Sequence, residues 1–235
     1  MNNIAIIIPA YKENENIFRL IKKIKNILPK SYIYIVDDSP KTNLIKNKLK
    51  NNINFFYRNK KLGRGSAVIY GLKKAILKKN IDIFIEMDAD FSHNPAELNK
   101  KINFFKKNKL DLLIASRYVK KSRIINWPYS RKVFSFLANF IAKKLLRVPV
   151  NDYTNGFRIY SKESTQVIIN ECGKIGDGFI ILSEILFKIY SHNLKISELP
   201  TTFINRKRGE SSLSFSLILS SLIGLIKLFL MKFFK

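Results

Sequence analysis

Two carboxylates separated by one small residue stand at Asp88-Ala89-Asp90, directly after an apolar run at residues 81–87. That spacing lets both reach one divalent cation or a ribose, and Mg2+ or Mn2+ held there would neutralise charge building on a departing diphosphate. Alone the pattern is weak, because an acidic turn ahead of a helix is common. Its company strengthens it. Pro9-Ala10-Tyr11-Lys12-Glu13 closes one apolar run and Asp37-Asp38 closes another, supplying a ring for a base to lie against and acceptors for base or ribose. Ser116-Arg117-Tyr118 closes a third and adds a cation.

These groups share one address. Apolar, often β-branched runs at residues 4–8, 32–36, 53–57, 81–87 and 110–115 read as buried strands. Between them, Ile17, Leu20, Ile21, Ile24, Ile27 and Leu28 fall on one helical face, and helices are predicted over 66–79 and 95–107. The alternation predicts an α/β fold with a mostly parallel central sheet, in which ligands bind at the carboxyl ends of the strands. The second half is less regular. Val133, Phe136, Leu137, Phe140, Ile141 and Leu145 mark an amphipathic helix, with further helices at 161–171 and 179–190, a strand at 195–199 before Pro200, and a basic loop, Asn205-Arg206-Lys207-Arg208-Gly209.

A chain of 235 residues, 46% of them hydrophobic, can bury one full core. The lone Cys172 excludes an internal disulfide, which fits a reducing cytoplasmic setting, and the short run at 4–8 that meets Pro9 is no signal peptide. A net charge of +26 raises nucleic acid and anionic membranes as partners, although lysine pairs such as Lys22-Lys23 and Lys78-Lys79 also suit solvated helix faces. Residues 211–226 carry no charge, and Lys227 and Lys232 interrupt the apolar stretch that follows. A shallow amphipathic helix, a tilted span and a helix packed on the core or a partner all remain open; the first two place the protein at a membrane.

The ordered series Pro9-x-Tyr11-x-Glu13, Val36-Asp37-Asp38-Ser39-Pro40, Leu62-Gly63-Arg64-Gly65, Met87-Asp88-Ala89-Asp90-Phe91-Ser92-His93-x-Pro95, Ser116-Arg117-Tyr118, Asn155-Gly156-Phe157-Arg158 and Arg206-Lys207-Arg208-Gly209-Glu210-Ser211 resembles that of family 2 glycosyltransferases. The likeness is to the dolichol-phosphate mannose synthases and their polyprenyl-phosphate relatives. It covers roughly residues 4–215 and implies a GT-A fold, so that the chain divides into a catalytic domain at 1–210 and the C-terminal apolar, membrane-associated helix read above at 211–235. It also implies an inverting, Mg2+- or Mn2+-dependent transfer of a hexose, with GDP-mannose as donor and a membrane polyprenyl phosphate as acceptor; a UDP-sugar is the alternative donor. A membrane-anchoring partner or an oligomer would be compatible with it, and nucleic acid is not a partner.

Carried over by motif, Pro9, Tyr11, Glu13, Val36 and Asp38 or Asp37 would hold the nucleoside, with Gly65 on the donor side. Asp88 and Ala89 would meet ribose and phosphates, and Asp90, with Asp88, the metal. Arg117 would contact phosphate near the reacting centre, Arg131 and Ser135 would receive the acceptor phosphate with it, and Arg206 would clamp donor phosphate. The catalytic set is then Asp90, Arg117 and Arg131. Read alone, Arg131 is equally an exposed helical arginine, and Arg206 and Arg208 a solvated loop. The sequence departs from the family at Lys12, at the loop Ser39-Pro40-Lys41-Thr42 and at Ser211-Ser212.

The acceptor class has independent physical support. A sugar hydroxyl needs a base to remove its proton, whereas a phosphate monoester, with a second pKa of about 6, is already anionic at neutral pH. Such a nucleophile needs cations to hold it, and Arg117, Arg131 and Arg206 outnumber the spare carboxylates, Asp177 and Glu184. A sugar nucleotidyltransferase would favour an early glycine-rich loop before a lysine, which is missing here. A basic nucleic-acid-binding protein would bind in a salt-dependent way that ignores Asp90.

Overall fold

The computed structural model describes residues 3–40, 52–176, 180–205 and 215–231. Strands β1 (Asn3–Ala10), β2 (Tyr32–Asp37), β3 (Ile53–Tyr57), β4 (Ile81–Glu86), β5 (Leu112–Ser116), β7 (Arg158–Ser161) and β8 (Ile196–Pro200) form one sheet in the order β3-β2-β1-β4-β7-β5-β8. All neighbours are parallel except β7, which lies antiparallel between β4 and β5. The strands read as continuous apolar runs because both faces are covered. Ile4, Ile6 and Ile8 point to one core, under α1 (Asn14–Ile27) and α3 (Leu98–Lys107). Ala5 and Ile7 point to the other, under α2 (Arg64–Ala75), α5 (Lys162–Glu171) and α6 (Ile180–Ser191).

Expected and observed elements differ in two instructive places. The helix expected at 95–107 opens as a 3-10 turn over Pro95–Glu97, where the Asn94 side chain accepts from Ala96 N, before α3 begins. Strand β7 and a small parallel pair, β6 (Arg123–Ile125) with β9 (Thr202–Ile204), had no periodic signal, being three or four residues long. The expected amphipathic helix is α4 (Tyr129–Leu146). Its inward residues are Ser135, Asn139, Ala142 and Leu146, while the apolar stripe of Phe136, Leu137, Phe140 and Ile141 faces out, with Phe136 57% and Tyr129 81% exposed.

The C-terminal helix, α7 (Phe215–Met231), packs on α4 and α6, and Leu225 and Leu228 enter the core. One face of this helix thus belongs to the same body as the sheet, while Leu222, Ile223, Ile226 and Leu230 stay exposed. Among the described residues, no helix is long and apolar enough to cross a membrane. Arg206, Arg208 and Asp177 lie outside the described residues.

Candidate active site

The acidic turn leaves β4 at the carboxyl edge of the sheet, and its first carboxylate is already engaged. Arg64, at the start of α2, donates through Nε and Nη2 to Asp88 Oδ1 at 2.9 and 2.7 Å and through Nη1 to Glu86 Oε1 at 2.5 Å. Glu86 is fully buried and accepts a further bond from the Tyr160 hydroxyl at 2.6 Å. Burial pushes the Asp88 carboxyl up, but Arg64, with His93 and Arg117, more than offsets this, and the group is held below the usual carboxylate range. Asp90 accepts from Ser92 N at 3.0 Å through Oδ1 and is otherwise half open to solvent.

Asp90 and the Asp88 oxygen left over by Arg64 make a hard, two-carboxylate donor set. Among the described residues, no group of three or more acidic, histidine or cysteine side chains forms a fuller cage. That composition fits Mg2+ or Mn2+, which bind through one or two carboxylates and take further ligands from phosphates and water.

Gly156 sits against Arg64, and a Cβ there would fall 1.8 Å from Arg64 Nη2. Gly156→Ala should displace the guanidinium and leave Glu86 short of its charge partner. Arg64 is long and partly exposed, so it can readjust; the expected cost is about 2 kcal/mol, or a fall in Tm of about 5 °C. A melting temperature equal to wild type would show that Arg64 does not depend on the missing side chain.

On the nucleoside side, Pro9 and Val36 are buried at the ends of β1 and β2, and Tyr11 projects at the edge with the Lys12 and Lys61 ammonium groups over its ring. Asp38 is held by Arg58, which donates to both of its oxygens at 2.6 and 2.7 Å, and by Leu62 N. Its evident work is to tie β2 to the loop ahead of α2. Asp37 accepts through Oδ1 from Ser39 N and Oγ, while its buried Oδ2 has no hydrogen-bond partner among the described residues. Asp37 is thus the better placed of the pair to meet a ligand. Glu13 accepts from Asn16 Nδ2 at the head of α1. Gly65 is filled by Ile181, whose side chain would lie 2.6–2.9 Å from an added Cβ, so packing explains that glycine.

The cation side is equally built. Arg117 donates from its backbone N and from Nε to Asp152 Oδ2 and from Nη2 to Asp152 Oδ1 and Thr154 Oγ1, leaving Nη1 unspent on these partners. Glu198 on β8 in turn accepts from Asn151 N and Asp152 N, fixing the loop that carries Asp152. Arg131 on α4 donates to Asn205 Oδ1 at 3.1 Å and lies over the Trp127 ring. Ser135 is buried one turn further on, beside Asn139, which bonds Thr154 Oγ1. Between the two sides, His93 accepts from Asp88 N through Nδ1 and meets Asn155 Oδ1 through Nε2, and the Asn155 amide donates to Ala115 O.

Complete burial pushes the Asp152 carboxyl up, yet Arg117 overrides this and holds it below the usual carboxylate range. With a folded pKa below the unfolded value of about 3.9, its stabilising contribution is complete above roughly pH 5 and is lost as pH falls through the folded value. Melting curves taken from about pH 7 down to pH 3 should show a steep loss below pH 4. A double variant without the pair, Arg117→Met with Asp152→Leu, should lose less over that range; an unchanged slope would remove the pair as a cause.

A family model described as Glycosyl transferase family 2 matches residues 5–169. The chain belongs to that family. It is 39% identical over 220 residues to the dolichol-phosphate mannosyltransferase of Pyrococcus furiosus, covering 89% of this chain and 59% of that protein. Identity to the polyprenol monophosphomannose synthase of Mycolicibacterium smegmatis is 31% over 215 residues, 89% of this chain and 80% of that one. The fold is GT-A-like: glucosyl-3-phosphoglycerate synthase of Mycobacterium tuberculosis, solved with Mn2+, uridine diphosphate and glucosyl-3-phosphoglycerate, matches with a TM-score of 0.67 at 15% identity, over 98% of this chain and 79% of that one.

Sequence reasoning assigned no role in this family 2 glycosyltransferase to Arg64, Glu86, His93, Asp152, Asn155 or Glu198. Arg64, His93 and Asn155 lie inside motifs that carried the resemblance, so their positions were marked though their work was not. Asp152 and Glu198 had no such mark. Arg158, also inside a motif, is wholly buried and donates to the carbonyls of Tyr153, Asn155 and Leu182, pinning the Asp152–Asn155 turn to α6.

Proposed function

We propose that this glycosyltransferase moves a hexose, mannose from GDP-mannose, onto a polyprenyl phosphate at a membrane surface, assisted by Mg2+ or Mn2+. The observation that carries the reading is the outward apolar face of α4, directly continuous with the helix turn that bears Arg131. Contiguous exposed apolar surface marks an interaction site. Exposed Lys132, Lys143, Lys144, Arg147 and Lys227 border it and suit an anionic leaflet. Helix α7, which packs beside α4, adds the exposed Leu222, Ile223, Ile226 and Leu230. The names of the relatives, which include the undecaprenyl-phosphate mannosyltransferase of Micrococcus luteus, 27% identical over 95% of this chain and 93% of that protein, support the acceptor class and the sugar.

In this reading an oxygen of the acceptor phosphate attacks C1 of the sugar from the face opposite the nucleotide. A C1–O bond to the acceptor forms as the C1–O bond to the donor's β-phosphate breaks, the nucleoside diphosphate leaves with the bonding pair, and the anomeric configuration inverts. No proton has to be removed, so Arg117 and Arg131 serve by holding the anionic acceptor, with Ser135 as a neighbouring donor. Tyr11 and Asp37 orient the nucleoside. Asp90 and the remaining Asp88 oxygen would hold the divalent cation, which supplies charge neutralisation for the departing diphosphate.

The test is a donor panel. Purified protein with Mn2+ or Mg2+, GDP-mannose or UDP-glucose, and a polyprenyl phosphate in anionic vesicles should yield an organic-extractable glycolipid of the expected mass with GDP-mannose. Preference for UDP-glucose would replace the donor and leave the acceptor standing. Folded protein that transfers from no donor sinks the reading.

A further inference from the structure

Trp127 is the only tryptophan in the chain. It is 7% exposed, between β6 and α4, and two guanidinium groups lie over its ring: Arg131 at 4.3 Å and Arg117 at 5.3 Å from the centroid. Phe203 meets the indole edge-on at 5.2 Å, lies under Arg117 at 5.5 Å, and meets His93 edge-on at 5.6 Å. His93 is the group that accepts from Asp88 N. A run of contacting rings therefore joins the acidic turn to both arginines.

We propose that Trp127 is the positioning residue of the acceptor site. Its indole sets the placement of Arg117 and Arg131 and, through Phe203 and His93, their distance from the Asp88-Ala89-Asp90 turn. This rests on the acceptor reading above and deepens it. Two like-charged guanidinium groups repel each other, and a single electron-rich ring that attracts both offsets part of that repulsion without neutralising either. Arg117 is already paired with Asp152 through Nε and Nη2, so the ring places the two guanidinium groups side by side without taking up the remaining Nη1. The indole N–H is buried with no hydrogen-bond partner among the described residues, which a residue chosen for polar contact would not tolerate. The extended π face is the property that the position uses.

The test compares Trp127→Phe and Trp127→Leu with wild type, using farnesyl phosphate as acceptor. A misplaced phosphate lowers kcat/KM for the acceptor by about 10- to 100-fold in the leucine variant, and the phenylalanine variant, which keeps a ring, recovers most of the loss. The donor KM should stay within about twofold of wild type. A purely structural Trp127 would instead lower Tm in both variants and leave the acceptor kcat/KM of the surviving folded enzyme unchanged; that result overturns the proposal. Should Trp127→Leu fail to fold, the wild-type protein decides, because its tryptophan emission comes from this one ring. Emission should change saturably with farnesyl phosphate and not with farnesol, and constant emission at saturating farnesyl phosphate overturns the proposal. Wild type that transfers normally while the variants match it refutes only the role of Trp127, whereas wild type that transfers to no phosphate removes the acceptor reading itself.

Discussion

Asp90→Asn should reduce transfer by about a thousandfold or more, the several kcal/mol that a metal contributes to a diphosphate-leaving transition state, while leaving the melting temperature within about 2 °C of wild type. The fold is spared because, among the described residues, Asp90 makes one local bond, from Ser92 N to Oδ1, which an asparagine oxygen still accepts. What is lost is the second anionic oxygen, the one that would face the proposed cation. Asp88→Asn, two residues away, should behave differently. There the carboxylate also pairs with Arg64, so both activity and stability should fall. Initial rates at saturating Mn2+ and donor, with melting curves on the same preparations, separate the two. An Asp90→Asn enzyme within tenfold of wild type would end the assignment of this turn to the metal.

Asp152→Asn should be among the most damaging substitutions to the fold. The carboxylate is 0% exposed and accepts from Arg117 N, Nε and Nη2, from Thr154 N and from Asn155 N. An amide presents a donor where only donors point, and it leaves the Arg117 charge buried and uncompensated. Breaking such a pair costs about 3–5 kcal/mol, a fall in Tm of about 10 °C or more in a chain of this size. Activity should fall with it, because Arg117 loses the partner that aims it. Combining Asp152→Asn with Arg117→Gln should recover part of the stability and none of the activity. Additive losses in that cycle would contradict a direct coupling.

The positions of Asp37, Asp88 and Arg117 were legible because each terminates an apolar run, and a run covered on both faces declares its end by the first polar residue. The partners of these groups were not legible. Arg64 reaches Asp88 across 24 positions and Asp152 reaches Arg117 across 35, and an ion pair between distant segments leaves no periodicity in either. Helix α4 was legible but its orientation was not: an amphipathic stripe shows that a helix has an apolar face, not which way it turns, and here Ser135 and Asn139 face inward. The four-residue β7 escaped notice because its hydrogen bonds to both neighbours, not its length, make it a strand.

That inserted strand has a consequence for how the protein is made. On the ribosome, β5 emerges roughly 40 residues before β7, an interval of about 2–8 s at ordinary rates of elongation, and β4 emerges earlier still. Throughout it, the edge of β4 that β7 will cover and both edges of β5 carry unpaired backbone groups on strands of isoleucine, leucine and phenylalanine. Such edges template pairing with other chains. Docking of β7 closes the gap between β4 and β5, and the outer edge of β5 stays open until β8 follows, so expression yield should respond to chaperone supply and growth temperature before it responds to the stability of the finished fold.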